Sequence, residues 1–439
     1  MLTTHAPHSW FPPLLLRIGA VRGFTAVAEK SKEPPKAVIE LFDVLREESL
    51  NRMKDFEANH LFSLVWAYST AKRLDKQLYE ACLDRVRQLG NKKDEAKGRG
   101  VGERPQLVDM DEMDTTVPAV LHETKHLSVI WKPAHWHVSV TSAIAGAAEG
   151  EVDDATDEEA EAKDAAFKTM TSANGNASGL QEWVEEAYSG YPIARDRHHA
   201  HGILHRLDVG TSGPLLLAHS YKGFYMGRLV FCSHQIDKEY VALVKGHMGT
   251  VGKNIVISDR IKILKSTLDN GQSYSTTCVV APDGKPSLTE VVPVAHYNDG
   301  SGEEYSLVLV KLHTGRTHQI RVHMAYIGHP LVCDPKYGNP TDPEAAKAVC
   351  AIDRLWCPRT FLHSYRLCYN QPMDVVDEKD ATVDVYVPMP LDLRLALAKL
   401  TPIEEHCAET ARWLSGKKCG IEGKSFESKC EKEKDAVGV

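Results

Sequence analysis

The chain has 439 residues, 43% of them hydrophobic, enough for two or three folded units and a sizeable core. It contains no run of about 18 apolar residues and no C-x-x-C pair among its ten cysteines, so neither a transmembrane helix nor a zinc ribbon is expected, and free thiols in a reducing compartment are. The net charge of −8 argues against nucleic acid until it is located: nine acids and one base, Lys163, fall between Glu149 and Asp164, while residues 195–266 carry eleven Lys/Arg against five Asp/Glu, a local basic excess that permits phosphate binding.

In chain order, residues 1–35 begin with 28 positions free of Asp and Glu, with Arg17 and Arg22 around an apolar stretch. This reads equally as an organelle-targeting presequence or an unstructured start. The expected location is intracellular: mitochondrion or plastid if targeting holds, otherwise cytoplasm or nucleus. Residues 36–90 show helical periodicity in three stripes, one through Val38, Leu41, Phe42 and Leu45, the next from Leu61 to Tyr68 with Asn59 as its expected N-cap, the third through Leu78, Cys82 and Val86. The segment is similar to one unit of a helical-repeat array or to a helical cap on the next domain. Residues 91–116, charged and Gly-rich, read as a linker.

The globular unit is expected over 117–400. It opens with two strands, V-L-H-E and L-S-V-I-W-K-P, around His122-Glu123-Thr124-Lys125-His126. H-E-x-x-H binds zinc only on a helix that aligns both imidazoles, and the strand-forming flanks here predict a hairpin turn instead. Residues 141–178 form an acidic, Ala/Ser/Thr-rich insertion expected to be disordered. Amphipathic order resumes at Trp183 to Tyr188. A histidine cluster follows (His198, His199, His201, His205), read as surface groups beside a basic groove rather than metal ligands, since no acid or cysteine accompanies it at ligand spacing.

Residues 201–213, H-G-I-L-H-R-L-D-V-G-T-S-G, place Arg206 two positions before Asp208 and close on small turn-forming residues before an apolar run from Pro214 to Ala218. Alone, Asp208 is a carboxylate on a turn. A helix is predicted over 221–231 and strands over 234–246, 291–295 and 305–312. A second dense motif, H-T-G-R-T-H-Q-I-R-V-H at 313–323, continues as a helix to Ile327 with Gly328 as its C′ residue. Two further strands are expected over 361–367 and 381–387, then a charged, loosely ordered tail, 401–439.

H-R-L-D-V-G-T-S-G, K-E-Y, T-G-R-T-H-Q-I-R-V-H, G-H-P-L-V-C-D-P-K-Y-G, V-I-W-K-P and F-L-H-S-Y-R-L together resemble the RluA family of RNA pseudouridine synthases, in that family's order, across 117–395. The resemblance implies an α+β fold with a mixed, mainly antiparallel sheet and flanking helices. It implies that Asp208 is the catalytic nucleophile, that Tyr240 stacks on the uracil and helps remove the C5 proton, and that Arg321 pairs with Asp208. Arg206 would fill the RNA stack where the uridine leaves, Ile320 and Leu207 would line the pocket, and Thr211, Ser212 and Gly213 would serve as scaffold. RNA, ribosomal or transfer, is the implied partner, acted on by a monomer with no cofactor, metal or membrane.

Those residue types suit the chemistry. Uridine isomerisation breaks N1–C1′ and rejoins the base through C5 without redox change. An ionised carboxylate can begin it by attack at C1′ or by taking the C2′ proton, and the residues leave both routes open. An adjacent arginine keeps that carboxylate charged, and a buried uridine must first be flipped out. Two rivals remain: a catalytically inactive RNA-binding protein on the same fold, and an N-glycoside hydrolase that would release uracil. The family's small basic domain before the core is not recognisable here; the helical segment stands in its place.

Overall fold

The structure, a computed structural model, describes residues 36–98, 100, 104–110, 112–138, 179–267, 274–339, 342–371 and 382–403. The readings of 1–35, of the acidic insertion and of the tail beyond 403 fall outside these residues.

Three helices come first: α1 (Lys36–Asn51), α2 (Ala58–Thr70) and α3 (Lys76–Lys97). Asp75 caps α3 by accepting from the Leu78 amide at 3.0 Å. The N-cap of α2 is Glu57 rather than Asn59. A reciprocal bond, from the Glu57 amide to His60 Nδ1 at 3.2 Å, starts the helix one residue before Asn59. The linker reading of 91–116 also needs correction, because α3 runs on to Lys97.

The hairpin β1 (Ala119–Glu123) and β2 (Leu127–Lys132) turns at Thr124 and His126, where a helical zinc motif would have needed one continuous helix. After α4 (Leu180–Ala187) and two short 3-10 turns come β3 (Gly213–Ala218), α5 (Tyr221–Cys232) and β4 (Ile236–Lys245). Then follow β5 (Ile255–Ile257), β6 (Ile261–Thr267), β7 (Tyr274–Val280), β8 (Thr289–Asn298), β9 (Glu304–Leu312) and α6 (Gln319–Tyr326). The chain continues with α7 (Pro343–Asp353), β10 (Leu362–Asn370), β11 (Thr382–Tyr386), α8 (Leu391–Leu397) and β12 (Thr401–Pro402). Thus the first tail residues are ordered: β12 pairs with β8, and the Ile403 amide bonds the His296 carbonyl at 2.9 Å.

The larger sheet runs β11-β10-β4-β9-β8-β12 with β5 also on β8, the smaller one β1-β2-β3, and β6 and β7 form a separate hairpin. All these strand pairs are antiparallel. The parallel contacts are isolated bridges, so the architecture is α+β with mainly antiparallel sheets and flanking helices, as expected. Alternation in β4 and β9 sends Ala242, Val244, Val308 and Val310 to one face with Ile320 and Met324 of α6. It sends Val241, Leu243, Leu307 and Leu309 to the other, with Leu393 and Leu397 of α8. A parallel bridge from Ser212 to His363 joins the start of β3 to β10, so the two sheets meet where the motif of residues 201–213 ends.

The N-terminal helices share a core with α5: Phe62, Leu64 and Val86 cluster with Met226, Leu229 and Cys232. Asp94, near the end of α3, accepts from the Tyr221 and Lys222 amides at 2.8 and 3.1 Å, satisfying two of the donors that open α5. The helical segment is a cap on the unit that follows it, fastened through the stretch whose composition suggested a linker. Among the described residues no helix is long and apolar enough to cross a membrane.

Candidate active site

The loop carrying Asp208 is shaped from beneath by histidines. His199, His201 and His205 are buried, not surface groups as their polarity suggested, and only His198 of the four is exposed. His205 Nε2 accepts from the Leu216 amide at 2.9 Å, and burial, with a smaller push from Lys238, lowers its pKa to about 3, so it stays neutral. His201 Nδ1 lies 2.8 Å from the Ala194 carbonyl, and His199 sits between Asp196 and the Tyr225 hydroxyl. Each imidazole is used as a fitted polar spacer; among the described residues no group of three His, Cys, Asp or Glu is placed to hold a metal.

The turn itself closes with the Thr211 amide on the Asp208 carbonyl at 2.9 Å. Lys132, fully buried at the end of β2, donates to the carbonyls of Pro133, Asp208, Val209 and Thr211 at 2.9, 3.2, 3.2 and 2.7 Å. Burial, then the nearby Arg359 charge, pushes its pKa down to about 7, against the pull of Asp208. Arg359 holds the next part of the loop, bonding the Gly210 carbonyl at 2.9 Å and Ser212 Oγ at 3.0 Å. Ser212 Oγ also lies 3.0 Å from His363 Nδ1. Gly213 has φ +143°, and a Cβ there would overlap the Ser364 carbonyl oxygen, so no side chain fits.

On this support Asp208 faces Arg321, the third residue of α6. Arg321 Nη1 lies 3.2 Å from Asp208 Oδ2. The other edge of the same guanidinium is gripped twice by Asp334, at 2.7 and 2.8 Å. Asp334 is itself fully buried and anchored by the Lys336 and Tyr337 amides at 2.9 and 3.0 Å. Burial alone would raise the Asp208 carboxyl, but nearby His318, Arg321 and Arg206 outweigh it and hold the group below the usual carboxylate range. Because burial lowers His318 to about 4, the two arginines are the charged partners at neutral pH.

Tyr240 lies on β4, opposite Ser364 of β10 in register, and shares one apolar cluster with Leu207 and Ile320. Burial and the nearby Asp208 charge push its phenol above the usual range, so it remains protonated. Arg206 is exposed beside this cluster. The structure therefore brings Asp208, Arg321, Tyr240, Leu207 and Ile320 together, with Arg206 at the rim and Thr211, Ser212 and Gly213 in the turn beneath.

Several residues at the site had no role in the sequence reading. Lys132 and Asp334 sit in stretches quoted only as landmarks, where the available signal was a charge ending or interrupting an otherwise apolar run, and Arg359 lies just outside the last of them. Gln319 ties the loop before α6 to β8, donating to Leu288 and Thr289 and accepting from Thr314 Oγ1 and the Arg316 amide. His318 takes the left-handed conformation, φ +56°, at the N-cap of α6, with Nδ1 2.8 Å from the Tyr337 hydroxyl. Tyr337 also lies under the Arg321 guanidinium, 5.0 Å from ring centroid to Cζ. Only spatial proximity reveals this second layer.

The arrangement can present an ionised, oriented carboxylate to a ligand beside an aliphatic floor and a neutral phenol, with the exposed Arg206 at the rim. The profile described as RNA pseudouridylate synthase matches residues 126–326. The chain is 34% identical over 213 residues to an uncharacterized RNA pseudouridine synthase of Mycobacterium bovis, covering 48% of this chain and 60% of that one. It is 32% identical over 228 residues to ribosomal large subunit pseudouridine synthase D of Escherichia coli, covering 51% and 63%. The chain thus spans less than two thirds of these relatives. Human RNA pseudouridylate synthase domain containing 1 superposes with a TM-score of 0.43 at 22% identity, over 70% of this chain and 98% of that one.

Proposed function

We propose, for a chain that belongs to the RluA family of RNA pseudouridine synthases, that its activity is the isomerisation of specific uridines in structured RNA, large-subunit ribosomal RNA being the first candidate. The observation that carries this reading is the Arg321–Asp208 pair at 3.2 Å, with Tyr240 packed in the same cluster. Asp208 acts on the sugar, and both routes, attack at C1′ or removal of the C2′ proton, begin from the ionised form that Arg321 and Arg206 favour. Tyr240 holds the freed uracil by its face and, as a neutral phenol, is suited to handling the C5 proton. Arg206, exposed at the rim, takes the place of the flipped nucleotide in the stack.

The name of the Escherichia coli relative supports the ribosomal choice; transfer RNA is the other candidate. The test is to incubate the full chain with an unmodified large-subunit rRNA transcript carrying tritium at uridine C5. The expected outcome is tritium release with an equal yield of pseudouridine and no free base. Free uracil with an abasic site would mean a hydrolase, and tight RNA binding without tritium release an inactive RNA-binding protein; either result overturns the proposal. Pseudouridine mapping of cellular RNA with and without the gene identifies the site.

A further inference from the structure

We propose that His318 is a substrate-binding residue, a neutral imidazole donating a hydrogen bond from Nε2 to a carbonyl oxygen of the target base. The inference rests on the pseudouridine synthase reading and deepens it. His318 stands directly before α6, and the charged groups facing it are Asp208, Arg321, Lys336 and Arg206, the groups that surround the nucleophile. Its Nδ1 is occupied by the Tyr337 hydroxyl at 2.8 Å. That hydroxyl already accepts from the Cys278 amide at 2.9 Å, and burial keeps the phenol protonated, so its own hydrogen is available to Nδ1. An Nδ1 that accepts leaves the ring proton on Nε2.

Nε2 has no hydrogen-bond partner among the described residues and is not enclosed, since the ring is only half-buried. The tautomer is thus set from behind, which leaves the Nε2 donor for a ligand. The backbone conformation at His318, φ +56°, is strained for a non-glycine residue and persists only where its surroundings hold it.

The chemistry of the occupant follows from charge. Arg321, Lys336 and Arg206 already place cations around His318, and a protonated imidazole among them would be repelled. A neutral N–H suits a neutral acceptor that gains charge during the reaction. Uracil offers this: when N1–C1′ breaks, the bonding electron pair leaves with the base and spreads onto its two carbonyl oxygens. A donor aimed at one of them binds the freed base more strongly than the uridine, which lowers the barrier rather than tightening RNA binding.

The test compares His318→Gln, His318→Asn and His318→Ala in the full chain, using the tritium-labelled large-subunit rRNA transcript. A glutamine amide nitrogen reaches the place of Nε2, an asparagine amide that of Nδ1. The expected result is kcat within about 5-fold of wild type for Gln and about 100-fold lower for Asn and Ala, with KM for the transcript within about 3-fold throughout. Equal activity of Gln and Asn, or an Ala variant near wild type, overturns the proposal. Nitrogen-15 histidine spectra of the wild-type protein give a second readout that needs no active variant: the His318 resonances must show Nε2 protonated and Nδ1 bare, and the reverse tautomer refutes it. An inactive wild-type protein would instead sink the pseudouridine reading itself, so the two failures are distinguishable.

Discussion

Arg321→Gln is the most informative single change, because one guanidinium serves two carboxylates, one fully buried and one half-buried. Asp334 takes two bonds from it at 2.7 and 2.8 Å with a side chain of 0% exposure, whereas Asp208 takes one at 3.2 Å and is 18% exposed. Removing one partner of a buried pair costs about 3–5 kcal/mol, and Asp334, the more enclosed, should account for most of it. With Arg321 present both carboxyls sit below the usual range, so they stabilise the fold above the unfolded carboxylate pKa of about 4, and that stability is lost as pH falls through the folded values. Without it burial, which raises Asp334, is opposed mainly by the Lys336 and Tyr337 amides, and for that group the sign reverses: its contribution is present at low pH and lost as pH rises. Urea unfolding should therefore show wild type losing stability below about pH 4, while Arg321→Gln is more stable at pH 5 than at pH 7. The double variant Arg321→Gln/Asp334→Asn removes the stranded charge and should recover most of the stability. Its kcat should nevertheless show an acid limb raised by about 1–3 pH units, because Asp208 has lost its cation. A single variant whose stability falls on acidification from pH 7 to 5, as an ordinary carboxylate protein's would, refutes the reasoning.

The remaining predictions concern the reacting group, the turn and the cap. Asp208→Asn should abolish pseudouridine formation while transcript affinity, measured by filter binding, stays within about 3-fold; near-normal turnover would remove Asp208 from the chemistry. Gly213→Ala should destabilise by about 1–3 kcal/mol in urea, since φ +143° is strained for any side chain and the added Cβ meets the Ser364 carbonyl; an unchanged midpoint would contradict the tight fit between the sheets. Asp94→Ala should cost about 1–2 kcal/mol by stripping two amide partners from the start of α5, and an unaffected melting curve would mean the helical cap is not fastened there.

Much of the architecture follows from local pattern. The polar-to-apolar run of β4 and the alternation of β9 mark both as strands, which the fold buries on both faces, and helical stripes predict α1 to α3. Gly328 ends α6 as expected: it sits at φ +88° while the His329 amide reaches back to the Met324 carbonyl at 2.8 Å. The strands that escaped notice, β5 to β7, are short or amphipathic on a surface hairpin, where no continuous apolar face announces them. α7 and α8 escaped too, being brief helices whose burial against the sheet is decided by β10 and its neighbours.

The amino-acid sequence by itself singled out Asp208, Tyr240 and Arg321 as the candidate residues for the chemistry, because they lie in local spellings that follow a fixed order along the chain. It could not show what holds them. Lys132 lies 76 positions from the Asp208 carbonyl it binds, Arg359 lies 147 from Ser212, and Asp334 grips Arg321 across a loop. Likewise the polar histidines around 199–205 looked like surface, and the charged stretch after Gly90 looked like a linker. Each is fixed by a partner far away in sequence, His205 by β3 and Asp94 by the start of α5. Polarity is a local property, whereas satisfaction of a buried polar group depends on what the fold brings within about 3 Å, and only the tertiary structure decides that.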